Sequence, residues 1–188
     1  MLRSRVLALL LFALFATACG KTDEKASAET QPPTVDMTAA TAYGSVAEVS
    51  AYLQTINPHI TTFSKLQQEY EEALASTKQG NADRRGTRRN LAAAVRPGLQ
   101  SVLEELDNIE PPPLLAPFHR DTRKMLVTRI DALARTIEGW EVEQAEGDFK
   151  AIYQDAETKY ESANQLILQL NRQMDSINTT VQEAAGSP

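Results

Sequence analysis

Residues 149–181 read FKAIYQDAETKYESANQLILQLNRQMDSINTTV. Phe149, Ile152, Ala156, Tyr160, Ala163, Ile167, Leu170, Met174, Ile177 and Val181 follow one another at steps of three or four. A backbone with 3.6 residues per turn gathers such positions on one face, whereas a strand would scatter them over both. The repeat holds for about five heptads, which predicts one long helix from about residue 148 to 183, roughly 54 Å at 1.5 Å per residue. Gly147-Asp148 marks its start, and the last residues, 185–188, are expected to fray into a disordered tail.

Three shorter stripes precede it. Val46, Val49, Leu53, Ile56, Ile60 and Phe63 alternate by threes and fours, and Tyr70 and Leu74 keep the phase past the polar Gln67. Ser45 and Glu48 open this run with capping-box spacing, so that each side chain satisfies a free N–H of the first turn. Pro58 lies inside the run and predicts a kinked helix; Asn57 capping a fresh helix that begins at Pro58 is the alternative. The polar stretch Ser76 to Thr87, with Gly80-Asn81 and Gly86, is expected to be a loop. The second stripe, Leu91, Val95, Leu99, Val102, Leu106 and Ile109, predicts a helix from about 88 to 109 kinked at Pro97-Gly98 and ended by Pro111-Pro112-Pro113. Leu126, Ile130, Leu133, Ile137 and Trp140 mark the third helix, from about 114 or 117 to 144.

No segment alternates with period two. Four amphipathic helices joined by short polar connections predict an all-α fold, an antiparallel up-down-up-down four-helix bundle with kinked helices over residues 45–184. Leu, Ile, Val and Phe supply only 33 of the residues from 19 onward, so a thin core is expected. The second helix is predicted to be much shorter than the fourth. One end of the bundle then thins to two or three helices, or the long helices pair with another copy as a homo-oligomer.

Across the whole chain of 188 residues, 42% of side chains are hydrophobic, 23% are charged and the net charge is −6. These values exclude a collagen-like fibre and a multi-span membrane protein. The single cysteine excludes a disulfide framework. That cysteine closes a distinctive beginning. Met1-Leu2-Arg3-Ser4-Arg5 is basic, Val6 to Phe15 is uncharged, and Ala16-Thr17-Ala18 offers small residues before Cys19. This is the pattern of a secretory signal over residues 1–18, with an apolar run too short to remain as a membrane span.

Ala16-Thr17-Ala18-Cys19 resembles the lipobox of bacterial lipoproteins, with Ala16 where Leu is usual. The resemblance implies acylation of Cys19, typically with palmitate, and cleavage before it. Gly20 at the following position, where Asp would signal retention, implies an outer-membrane destination facing the periplasm. Residues 19–44, rich in Lys, Thr, Glu, Ser and Gln and holding Pro32-Pro33, then read as a lipidated, disordered tether between that anchor and the bundle. Pro111-Pro112-Pro113 followed by Leu114-Leu115 and His119 resembles a connection in uncharacterised exported helical-bundle proteins of bacteria, which implies fold and location only.

Residues with chemical potential are few. His59 and His119 are the only histidines, and neither has Glu three residues before it as a di-iron bundle requires. No Cys-x-x-Cys-His run attaches a haem; His119 with Met125 or Met174 is the remaining haem arrangement, and His119 packed beside the triple proline is the alternative. No Gly-x-Ser-x-Gly elbow is present, and Glu71-Glu72 and Glu104-Glu105 are adjacent on helices and splay apart. The expectation is a protein that is not an enzyme and holds no metal or other cofactor.

Charge is more informative. Residues 78–135 carry eleven basic and seven acidic side chains, residues 19–77 three and eight, and residues 136–188 three and ten. An acidic chain bound for export argues against nucleic acid as a partner. Arg84, Arg85, Arg88 and Arg89 cluster four guanidinium groups, suited to an anionic partner such as a lipid headgroup or an acidic protein face. Alternatively they neutralise the acidic outer helices of the same bundle. The function expected is a membrane-anchored envelope protein that binds another protein. Two alternatives are an immunity or inhibitor protein for a toxin or envelope hydrolase, and a small-ligand or haem carrier using the bundle interior.

Overall fold

Four helices follow one another in the computed structural model, which describes residues 35–76 and 81–186. They are α1 (Val46–Ser76), α2 (Asn81–Asp107), α3 (Ala116–Gln144) and α4 (Lys150–Gly186). α1 packs on α2, α2 on α3 and α3 on α4, while α4 and α1 close the ring across a much thinner seam. Neighbours run antiparallel, because partner numbers fall as residue numbers rise. His59 meets Glu105 and Leu66 meets Gly98 between α1 and α2. Asp107 meets Arg123 and Gly86 meets Trp140 between α2 and α3. The all-α up-down-up-down bundle expected from the stripes is the fold.

The stripes supply the core. Val49, Ile56 and Phe63 from α1, Val95, Leu99, Val102 and Leu106 from α2, and Leu126, Ile130 and Leu133 from α3 are buried. In α4, Ala156, Tyr160, Ala163, Leu170 and Ile177 are buried at heptad-like spacing. Ser45 caps α1 as its sequence indicates. The Glu48 amide donates to Ser45 Oγ at 3.3 Å, and the Ser45 amide donates to Glu48 Oε2 at 2.9 Å. α1 continues through Pro58 and α2 through Pro97 as single helices. Both prolines are exposed, so water can satisfy the carbonyl each leaves without a helical donor.

The structure differs from the sequence expectations in four places. α2 begins at Asn81, not near Arg88, so the arginine cluster is helical and the connection from α1 is only residues 77–80. Gly86, which costs a helix about 1 kcal/mol, is tolerated because the Trp140 ring lies against its backbone. The α3–α4 connection turns through Glu146, not Gly147, at φ 56°. Gly147 N donates to Val142 O at 2.9 Å and Glu146 N to Glu143 O at 3.1 Å, the bonding of a Schellman ending. At the other terminus α4 extends to Gly186, beyond the expected boundary at 184.

The fourth difference concerns the tether. Its described part, from residue 35, forms a minimal hairpin in which Ala40–Thr41 (β1) pairs with Gly44–Ser45 (β2). Thr41 Oγ1 donates to Gly44 O at 2.7 Å, and Gly44 takes φ 120°, a conformation that disfavours any side chain. Ala39 O and Met37 O accept from the Val46 and Ala47 amides, so the hairpin satisfies donors that α1 could not. Tyr43 Oη lies 2.9 Å from Ser176 Oγ, which seats the hairpin on the long end of α4. That end is therefore not bare. The signal segment, Cys19 and the tether through residue 34 lie outside the described residues. Among the described residues, no helix is long and apolar enough to cross a membrane.

Candidate functional site

Helicity changes what the arginine cluster does. Positions 85, 88 and 89 lie on one face of α2, spaced as i, i+3 and i+4, and face the acidic ends of α3 and α4. Arg85 pairs with Glu143, Arg88 Nη1 with Glu157 Oε1 at 2.6 Å, and Arg89 Nη2 with Glu141 Oε1 at 4.0 Å. Arg85 also stacks near the rings of Phe149 and Tyr153, with centroids 5.4 and 5.5 Å away. The Tyr153 hydroxyl donates to Glu143 Oε2 at 3.0 Å. Burial and Glu143 together push its pKa up to about 12. Much of the cluster thus neutralises acidic helices of its own bundle. Arg84 is exposed and has no carboxylate within ion-pair distance among the described residues.

Beside these pairs a groove of about 400 Å³ is lined by Leu74, Arg84, Arg85, Arg88 and Glu157. Among the described residues, three guanidinium groups face it and one carboxylate. Arg88 Nε is buried without a hydrogen-bond partner, as is Arg89 Nε. Burial works against the charge of Arg88, but Glu157 and Tyr70 outweigh it and raise its pKa.

Behind the groove lies a polar cluster that the apolar stripes gave no reason to expect. Arg129 of α3 is 3% exposed, yet no carboxylate lies within ion-pair distance of it among the described residues. Its Nη2 donates to Asn164 Oδ1 at 3.1 Å, its Cζ lies 5.1 Å from the centre of the Tyr160 ring, and its Nε has no partner. Arg88 approaches the same ring at 5.8 Å. Tyr160 Oη lies 3.1 Å from Tyr70 Oη and accepts from Thr136 Oγ1 at 3.4 Å. This tyrosine pair bridges the thin α1–α4 seam, and two arginines reach into it from α2 and α3. Burial lowers the pKa of Arg129, opposed by Tyr160, Glu71 and Tyr70. Burial likewise raises that of Tyr160. A signal for this cluster existed: Thr122, Arg129 and Thr136 recur every seven residues along α3, and all three are buried.

The remaining candidates lie elsewhere. His119 Nδ1 is 3.1 Å from the Tyr52 hydroxyl, near the start of α3, and burial lowers its pKa. Met125 is buried within the apolar core and Met174 packs on its edge. His59 Nδ1 is 2.9 Å from Glu105 Oε2 on the surface. Glu71 and Glu72 splay as expected, each accepting from a glutamine one turn before it, Gln67 and Gln68. Among the described residues no three His, Cys, Asp or Glu gather to hold a metal ion. A second shallow groove of about 370 Å³ on the α3–α4 face is lined mainly by Lys124, Ser162, Gln165, Leu168 and Arg172.

The two ends of the bundle are chemically distinct. One carries the hairpin, the triple proline and the Tyr52–His119 pair. The other carries the arginine groove, where α1 ends and α2 and α4 begin. α1 alone has 31 residues, which separates them by roughly 45 Å. The fold defines the chain as an all-α four-helix bundle with an arginine-lined groove at one end. Compared with protein-family models, with curated proteins and with solved structures, the chain matches none.

Proposed function

We propose that the chain is a non-enzymatic envelope lipoprotein, acylated at Cys19 and held at the outer membrane. Its bundle then acts as a rigid spacer that presents the arginine-lined end to another protein. The observation that carries this reading is the separation of the two ends. The chain enters the bundle through the hairpin at Ala40–Ser45, and the groove at Arg84, Arg85 and Arg88 lies at the far end of α1. A tether reaching back to Cys19 would leave the hairpin end nearer the membrane and the groove end nearer the periplasmic space. A contact surface at the far end is reached by a protein more readily than by the headgroups of the anchoring membrane.

The anchor and the contact are tested separately. Mass spectrometry of the native N-terminus should find acylated Cys19 as the first residue, and Cys19→Ala should release the protein from the membrane fraction. A photocrosslinking residue at position 84 should capture one envelope protein reproducibly, whereas the same group at Thr38 in the hairpin should not. An unmodified Cys19 would overturn the anchor. Identical capture at both positions would overturn the far-end contact.

A further inference from the structure

We propose that the groove lined by Leu74, Arg84, Arg85, Arg88 and Glu157 docks an acidic segment of a partner protein, with its carboxylates on the arginines and an apolar side chain on Leu74. This rests on the interaction reading above and names the partner's chemistry. Three features of the groove support it.

The first is charge balance. Among the described residues, three guanidinium groups meet one carboxylate within the groove. Glu143 answers Arg85 from outside it, and among the described residues no carboxylate lies within ion-pair distance of Arg84. Behind the wall, Arg129 adds a buried cation with no carboxylate within ion-pair distance among the described residues, on the same Tyr160 ring that Arg88 approaches. A wall of low dielectric with a surplus of positive charge concentrates field into the groove, where an incoming anion feels it most.

The second is unused donor capacity. Arg88 is engaged by Glu157 and Tyr70, while its Nε is buried without a partner. Glu157 is half-exposed, so a partner's carboxylate can take its place with a second hydrogen bond to the same fork.

The third concerns the class of anion. Phosphate headgroups would also suit guanidinium forks. But the groove is at the end of the bundle away from the hairpin through which the chain enters, and Leu74 lines it among the arginines. An apolar side chain between carboxylates is a feature of a peptide, which Leu74 can meet and a headgroup layer cannot.

Trp140 is the only tryptophan, and its ring lies against Gly86, between Arg85 and Arg88 in the sequence. It is a built-in reporter. The full chain in mild detergent is titrated with a synthetic peptide of Asp-Glu-Leu-Ser repeats, read by Trp140 emission and by the anisotropy of the labelled peptide. Binding should saturate and weaken as salt rises. The matched Asn-Gln-Leu-Ser peptide should not bind, and neither should phosphatidylglycerol vesicles. Arg84→Gln should weaken binding about five- to tenfold, the loss of one partly exposed charge-assisted contact. Because Arg84 is exposed and makes no ion pair among the described residues, that variant should keep the wild-type melting curve.

Three results would overturn the inference: no saturable binding of the acidic peptide, equal binding of the neutral one, or unchanged affinity in Arg84→Gln. Vesicle binding that the same substitution abolishes would assign the groove to lipid instead. If position 84 still captures one envelope protein while the acidic peptide fails, the interaction reading stands and only the acidic chemistry falls.

Discussion

Replacing Arg129 by Met should stabilise the bundle, although it removes the largest polar group in the interior. The side chain is 3% exposed and makes one hydrogen bond, to Asn164 at 3.1 Å. Asn164 is itself exposed and can return to water. Losing that bond costs about 1 kcal/mol, and losing the stacking on Tyr160 about 1–2 kcal/mol. Against this, the buried Nε without a partner is worth about 1–3 kcal/mol of relief, and removing a buried cation with no adjacent carboxylate several more in principle. Coulombic attraction from Glu71 and the tyrosine oxygens offsets part of the burial. Met fills most of the same volume without charge. The expected net gain is about 1–2 kcal/mol, or a rise of roughly 2–6 °C in Tm for a domain of this size. Arg129→Ala removes the charge but leaves a hole, and should instead destabilise by about 2–3 kcal/mol.

Thermal and urea melts followed by circular dichroism measure both variants. If Arg129→Met destabilises as much as Arg129→Ala, the guanidinium is net glue for the α1–α4 seam. The view of it as surplus charge kept at a cost in stability would then be wrong. If Met stabilises while peptide affinity in the groove falls, the same residue has been shown to trade stability for binding.

Four other substitutions test the fold locally. A Cβ at Gly139 would sit 2.9–3.2 Å from three ring atoms of Tyr153, which is fixed by Glu143 and Arg85, so Gly139→Ala should lose about 1–2 kcal/mol in urea melts. At Gly98 the clash is with the tip of Leu66, which can move, so Gly98→Ala should be neutral or gain up to about 1 kcal/mol of helix propensity. Glu146 holds φ 56°, and Glu146→Gly should raise stability by about 1 kcal/mol by removing the strain of a left-handed side chain. His119 has its pKa held below 6.5 chiefly by burial, which Asp107 opposes and Arg123 reinforces. The unfolded chain therefore takes up the proton first, and stability is lost as pH falls through the window below 6.5. Between about pH 7.5 and pH 5.5, Tm should fall further in the wild type than in His119→Gln.

What could be read from the sequence depended on whether a residue's neighbours lie along the helix or across it. The α4 stripe needed only the helical repeat, and Ala156, Tyr160, Ala163, Leu170 and Ile177 are buried where that repeat puts them. Ser45 with Glu48 needed only one turn. Gly80, Asn81 and Gly86 break local helix preference, so the arginine cluster reads locally as a loop. What outweighs them is Trp140, 54 residues away, whose ring occupies the space a side chain at 86 would need. Tyr52, three residues after Val49 and four before Ile56, also follows the α1 repeat, and it is buried with its hydroxyl 3.1 Å from His119 Nδ1 on α3. Arg129 was hidden for the opposite reason. A charged residue next to Ile130 reads as the polar flank of a stripe, although its place three residues after Leu126 and four before Leu133, and its seven-residue spacing from Thr122 and Thr136, point inward.

The same cross-helix contacts explain why the polar residues concentrate at one seam. α1 carries one basic and four acidic side chains and α4 three and five, so the two helices that meet across the thin seam are the two that repel. Tyr70 and Tyr160 bridge them with near-parallel rings and hydroxyls 3.1 Å apart, and Arg88 and Arg129, from the two helices opposite, supply the countercharge. An apolar filling would close that seam with greater stability but would carry no positive charge to the groove at its end. The arginines do both: they let two acidic helices share a bundle, and they leave at its arginine-lined end a surplus of cations that an acidic segment can complete.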